Sequence, residues 1–95
     1  IPGTSAYAAS KAALNGMIKS IAAENAKKGI TINNLVLGYY NTGMINEVSE
    51  QILKGIVEKI SAGKLGDPHN IYRAIEFIRE ADYLTGACIN IDGGI

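Results

Sequence analysis

The sequence predicts an α/β fold with helices on both faces of a parallel sheet, of which this chain carries the C-terminal part. Three observations predict it. A long alanine-rich helical run leads into a β-branched strand. Two further helical stretches separate that strand from a second one. Both strands carry apolar residues on both of their faces.

Residues 5–28 read as one helix. Ser5 or Thr4 is placed to cap it, the interior is rich in Ala, Lys, Ile and Met, and Gly29 follows two lysines as a stop. Pro2 and Gly3 mark the loop that feeds it. "ITINNLVL", residues 30–37, is β-branched and largely apolar, so a strand is expected there. "GYYNTG" then has turn chemistry at both ends. A second helix is expected over residues 45–60, from the apolar positions Ile45, Val48, Ile52, Ile56 and Ile60. "SAGKLGDP" breaks it. Asp67 caps a third helix with Pro68 in its first turn, running to Arg79. A short strand over residues 87–91 ends at Asp92-Gly93-Gly94, where Asp92 is a turn residue.

In the first strand Ile30, Ile32 and Val36 share one face, and Leu35 and Leu37 the other. In the second, Ile89 and Ile91 lie opposite Cys88, which is expected to be a small buried residue. Strands apolar on both faces belong in a sheet covered on both sides. Two strands are marginal as a sheet even with helical cover. Partner strands are therefore expected from an earlier part of the domain, and Ile1 does not resemble a natural start.

Composition narrows the function. The chain has 95 residues, 47% hydrophobic and 19% charged, with nine basic and nine acidic side chains in balance. No long-range attraction to nucleic acid or to an anionic membrane follows from that balance, and neither is an expected partner. No apolar stretch approaches the roughly 20 residues needed to cross a bilayer. One cysteine allows neither an internal disulfide nor a thiolate metal cluster, and the single His69 is expected as a solvated helix-start residue, so no metal site is expected. Nothing points to secretion, and the expected location is the cytoplasm.

The chemistry concentrates in "SAYAASK", residues 5–11. At about 100° per residue, Tyr7, Lys11, Leu14, Ile18 and Ile21 share one helix face, and Ala9, Ala13, Gly16 and Ser20 lie opposite. A free tyrosine has a pKa of about 10, which makes it a poor base near neutral pH. A cation one helical turn away stabilises the phenolate. A phenol tuned in this way exchanges a proton with a developing alkoxide or an alcohol, which suits carbonyl reduction and alcohol oxidation. The plain alternative is a surface pair in the first turn of a helix. Ser5 and Ser10 flank the tyrosine, with capping or packing their simplest role. The small-residue face favours close helix–helix contact.

"SAYAASKAALNGMIKSIAAENAKKGITINNLVLGYYNTGM", residues 5–44, resembles the short-chain dehydrogenase/reductase family. The matching features are the Y-x-A-S-K helix start, Gly16 and Gly29, the strand, the x-G-x-x-x-T loop at Gly38 to Thr42, and Met44. "GKLGDPHNIYRAIEFI" and "YLTGACINIDGG" are similar to the last helix and strand of that family. Among its subgroups the chain is most similar to bacterial 3-oxoacyl-(acyl-carrier-protein) and acetoacetyl-CoA reductases. The resemblance implies that residues 1–95 are the C-terminal half of one NAD(P)-binding, Rossmann-type doubly wound domain of three α/β/α layers. It implies hydride transfer between NADP, ahead of NAD, and a small carbonyl or alcohol substrate, with acyl carrier protein as a further partner and a homotetramer as the assembly. Tyr7 is then the proton donor or acceptor and Lys11 its catalytic companion. The implied cofactor-binding set is Tyr7, Lys11, Leu37, Gly38, Tyr40 and Thr42.

Leu37 departs from the family, which usually has proline there; proline fixes φ and removes an N–H, and leucine restores both freedoms. Tyr39 and Tyr40 also read as loop aromatics that cover core. No two glycines lie two positions apart, so these residues contain no G-x-G phosphate cradle. The family's serine and asparagine would lie upstream of Ile1, and the segment alone is expected to be inactive. Residues 45–64 would form the substrate side, with an Ile/Val/Leu content that fits an acyl chain, a steroid or a generic covering lid equally well. The competing readings are a non-catalytic relative kept for oligomerisation or binding and, within the family, a sugar or other alcohol dehydrogenase.

Overall fold

The structure, a computed structural model, describes residues 4–95. Its elements are α1 (Thr4–Asn25), β1 (Asn34–Leu37), α2 (Glu50–Lys59), α3 (His69–Glu80) and β2 (Cys88–Ile91), with short 3-10 turns at Ala26–Lys28 and Gly43–Glu47. β1 and β2 are neighbours in a two-stranded sheet. The Asn34 N–H donates to the Ala87 carbonyl at 2.8 Å, and the Gly38 N–H donates to the Ile91 carbonyl at 3.3 Å. Both partners advance four residues in the same direction, so the pair is parallel, as the sequence predicts.

The chain divides into two compact units. The first runs to Asn34 and resumes at Glu80–Ile89. α1 buries Ile18 and Ala22, the continuation of the stripe that begins at Tyr7. Thr4 and Ser5, expected as caps, are both already helical, and the feeding loop at Pro2 and Gly3 lies outside the described residues. Gly29 ends the helical run at a left-handed φ of 76°, its N–H donating to the Ala26 carbonyl at 3.1 Å.

β1 starts at Asn34, later than the predicted strand over residues 30–37. Side chains take the place of the ladder before it. Ile32 N–H donates to Thr85 Oγ1 at 3.1 Å. The Asn33 side chain donates to the Leu84 carbonyl at 3.1 Å and accepts from the Ala87 N–H at 3.0 Å. Asn34 Nδ2 also donates to Asn15 Oδ1 at 2.8 Å, which fixes the start of β1 against α1.

The second unit comprises Leu35–Arg79 and Asn90–Ile95. The single helix predicted over residues 45–60 is divided here. A 3-10 turn covers Gly43–Glu47, Val48 and Ser49 are extended, and α2 starts at Glu50. Ser49 is the reason, because its hydroxyl accepts from the Ile52 N–H at 3.3 Å as an N-cap. Ile60, just after α2, is the buried apolar residue of this unit among the described residues. Asp67 precedes α3, and its Oδ1 accepts from the His69 N–H at 2.9 Å. Asp67→Ala in the complete protein is expected to cost about 1 kcal/mol of stability, and Asp67→Ser to recover most of it. Chemical denaturation checks this; equal stability of the alanine and aspartate forms would remove the cap.

Asp92 is the expected turn residue: its Oδ1 accepts from the Gly94 N–H at 2.9 Å, with Gly93 and Gly94 both at positive φ. Cys88 is exposed, against the expectation of burial. β2 alternates between exposed and half-buried positions, so the face that carries Cys88 has no cover among the described residues. Leu37, at the end of β1, is likewise exposed. No described helix is long and apolar enough to cross a membrane.

Candidate functional site

Tyr7 and Lys11 occupy the first turns of α1, four residues apart and therefore on one face. The structure brings them together, with Lys11 Nζ 5.3 Å from the centre of the Tyr7 ring. An ammonium at that distance is attracted by the ring's electron-rich face. Burial of Ile18 and Ala22 anchors the later turns, while Tyr7 stays 63% exposed, open to a ligand. The Ser10 hydroxyl donates back to the Ala6 carbonyl at 2.9 Å. The small-residue face, Ala9, Ala13, Gly16 and Ser20, is exposed along its length.

Gly38, Tyr40 and Thr42 belong to the second unit, in the loop that leaves the C-terminal end of β1. Open α/β sheets bind ligands at such ends. The loop is fastened by a parallel bridge between Tyr40 and Gly66. Gly66 N–H donates to the Tyr39 carbonyl at 3.0 Å, and Asn41 N–H donates to the Gly66 carbonyl at 2.9 Å. Neither bond uses the Tyr40 N–H. The Tyr40 carbonyl accepts from the Thr42 N–H at 2.9 Å, which tightens the turn. Thr42 is exposed, and its hydroxyl makes no capping bond to the 3-10 turn that follows.

The Tyr40 side chain turns inward. Its hydroxyl donates to the Ile91 carbonyl at 2.6 Å. Burial raises its pKa above the usual tyrosine value, and the Asp92 carboxylate adds to the rise, so the phenol stays neutral. Tyr39 is exposed at the rim of a cavity of about 500 Å³, whose polar lining includes Lys64, Asp67, Asn70 and Asp92. Sequence reasoning left Tyr40 either in the cofactor-binding set or as a loop aromatic covering core, with no partner for its hydroxyl. The role of its hydroxyl left no signal, because two adjacent loop tyrosines look alike until one of them is seen to have a partner. His69 is exposed and stacks on Tyr72 with ring centres 5.5 Å apart.

The family model for enoyl-(acyl carrier protein) reductase matches residues 1–95. The chain belongs to the short-chain dehydrogenase/reductase family. Within that family it is similar to the 3-oxoacyl-(acyl-carrier-protein) reductase of Rickettsia conorii, at 38% identity over 99% of this chain and 40% of the relative. Nodulation protein G of Azospirillum brasilense is 37% identical over 98% of this chain and 39% of its own length. Among solved structures it is similar to a putative 2-deoxy-D-gluconate 3-dehydrogenase from Agrobacterium tumefaciens with bound NADP, at 37% identity and a TM-score of 0.80, covering 93% of this chain and 37% of that one. The α/β, Rossmann-type reading of this short-chain dehydrogenase/reductase thus holds for the segment at hand. The chain spans about 40% of the length of the curated relatives it matches.

Proposed function

We propose that the complete protein is an NAD(P)-dependent oxidoreductase that moves a hydride between a nicotinamide cofactor and a carbonyl or alcohol carbon. The substrate class it fits best is a 3-oxoacyl group carried on acyl carrier protein or coenzyme A. The observation that carries the reading is the Lys11 ammonium held over the exposed Tyr7 ring. The relatives named as 3-oxoacyl-(acyl-carrier-protein) reductases support the substrate class, and the NADP of the solved relative supports NADP ahead of NAD.

Each unit by itself offers donors of the kind the nicotinamide end of such a cofactor takes: in the first an exposed ammonium and an exposed phenol, in the second a backbone N–H left out of the Tyr40–Gly66 bridge and a Thr42 hydroxyl not spent on capping. A bound nicotinamide supplies the hydride, or takes it. In reduction Tyr7 gives its phenolic proton to the substrate oxygen as charge develops there, with the Lys11 ammonium beside its ring. The three ammonium donors of Lys11 also suit ribose hydroxyls. The backbone at Leu37, Gly38 and Tyr40 would hold the carboxamide, and the Thr42 hydroxyl would hold the carboxamide or a phosphate. The 95 residues alone, with no G-x-G turn, are inactive. The complete enzyme is a cytoplasmic homotetramer, with the exposed small-residue face of α1 in one interface.

A sugar alcohol dehydrogenase is the second reading, favoured by the name of the solved relative. Both are tested by following NADPH and NADH oxidation by the complete protein with acetoacetyl and keto-sugar substrates. Faster turnover of acetoacetyl thioesters with NADPH is expected. Turnover confined to keto-sugars would replace the first reading with the second, and cofactor binding without turnover of either would leave a non-catalytic module.

A further inference from the structure

We propose that the Tyr40 side chain is a positioning residue for the cofactor loop: its hydroxyl bond to the Ile91 carbonyl and its ring over Gly66 hold residues 38–42 in the shape that receives the nicotinamide end. This rests on the proposed assignment of that loop to the cofactor. The argument starts from what the loop lacks. Leu37 leaves φ free where it meets Gly38, and the loop is largely exposed, with Tyr39, Asn41, Thr42 and Gly43 all open to solvent. Few buried contacts hold such a segment in place.

Tyr40 is half-buried where its neighbours are exposed. Its phenol reaches the end of β2, with the hydroxyl 2.6 Å from the Ile91 carbonyl oxygen. The Ile91 carbonyl also accepts from the Gly38 N–H at 3.3 Å, so one oxygen ties the loop at two points. The ring lies on Gly66 so closely that a Cβ there would sit 2.7 Å from Cε2 and 2.8 Å from Cδ2. A side chain at Gly66 would have to displace the ring. Two backbone bonds on either side of Tyr40 then join the loop to the same glycine. With its side chain held on that side, Tyr40 is fixed as the residue whose N–H the bridge leaves free. The hydroxyl acts through loop shape and contacts no reacting atom.

The test uses the complete protein, with NADPH binding followed by fluorescence alongside steady-state kinetics. Tyr40→Phe keeps the ring and removes the hydroxyl. It is expected to weaken NADPH binding and raise the KM for NADPH about fivefold, with kcat at saturating cofactor close to that of the parent. Gly66→Ala is expected to weaken NADPH binding in the parent, and to do so far less in a Tyr40→Leu background where the ring is gone. A Tyr40→Phe protein with parental NADPH affinity and KM would overturn the proposal. So would a fall in kcat with unchanged KM, or equal effects of Gly66→Ala in the two backgrounds. A parent that binds neither NADPH nor NADH would instead remove the assignment of the loop itself, and this proposal with it.

Discussion

Tyr7→Phe in the complete protein is expected to lower kcat/KM for carbonyl reduction about 1,000-fold while leaving NADPH affinity within about twofold of the parent. The substitution removes one oxygen and keeps the ring under the Lys11 ammonium, 5.3 Å from its centre. Tyr7 lies at the exposed start of the stripe whose later residues, Ile18 and Ala22, are buried, so removing its oxygen takes nothing from the buried part of the helix. What it loses is the proton that must reach the substrate oxygen as the hydride reaches carbon. A positioned general acid is worth about 100- to 10,000-fold, and phenylalanine has no proton to give. Steady-state NADPH oxidation and fluorescence titration separate the two effects. Near-normal turnover would take Tyr7 out of the chemistry, and a parallel collapse of NADPH binding would make it a binding residue instead.

Gly38→Ala is the second large effect. A Cβ at Gly38 would lie 2.8 Å from both Cα and Cβ of Asp92 and 3.1 Å from its carbonyl oxygen. Two of those three atoms belong to the backbone, immediately after β2 and beside the Ile91 carbonyl that receives the Gly38 N–H. A flexible side chain could yield, whereas this backbone yields only by separating the two strand ends. Overpacking of this kind costs about 1–3 kcal/mol. In the complete protein the expected result is a stability loss in that range, with NADPH affinity weakened at least about tenfold because the loop beyond Gly38 moves. Gly55→Ala is the control: nothing lies within 4 Å of a Cβ there, and alanine in α2 is expected to be neutral or stabilising by about 0.5–1 kcal/mol. Denaturation midpoints and NADPH titrations on the pair decide the matter. Equal behaviour of the two variants would show that the strand ends have room to adjust.

The sequence made the punctuation of the fold legible because it is local chemistry. Gly29 supplies a left-handed stop, Asp67 a carboxylate for a helix start, and Asp92 a turn acceptor, each reaching a partner within three residues. The Tyr7–Lys11 pair was legible for the same reason, since helical spacing alone places the two groups side by side. Where a partner is distant in sequence, the reading failed. Asn33 replaces a stretch of ladder by reaching Leu84 and Ala87, and periodicity in residues 30–37 contains no trace of those partners. Tyr40 finds Ile91 across 51 positions. Ser49 is an instructive exception. Its cap is local, but the apolar series from Ile45 to Ile60 continues through it and masks the break. The exposure of Cys88 has another origin: its strand alternates as predicted, yet no described element covers that face.

The proton path is tested most directly by a crystal structure of the complete protein with nicotinamide cofactor and a carbonyl substrate or unreactive analogue. The phenolic oxygen of Tyr7 is expected within about 2.6–3.2 Å of the substrate oxygen, with Lys11 still beside the ring. A substrate oxygen held by another donor, with Tyr7 facing away from it, would contradict the mechanism.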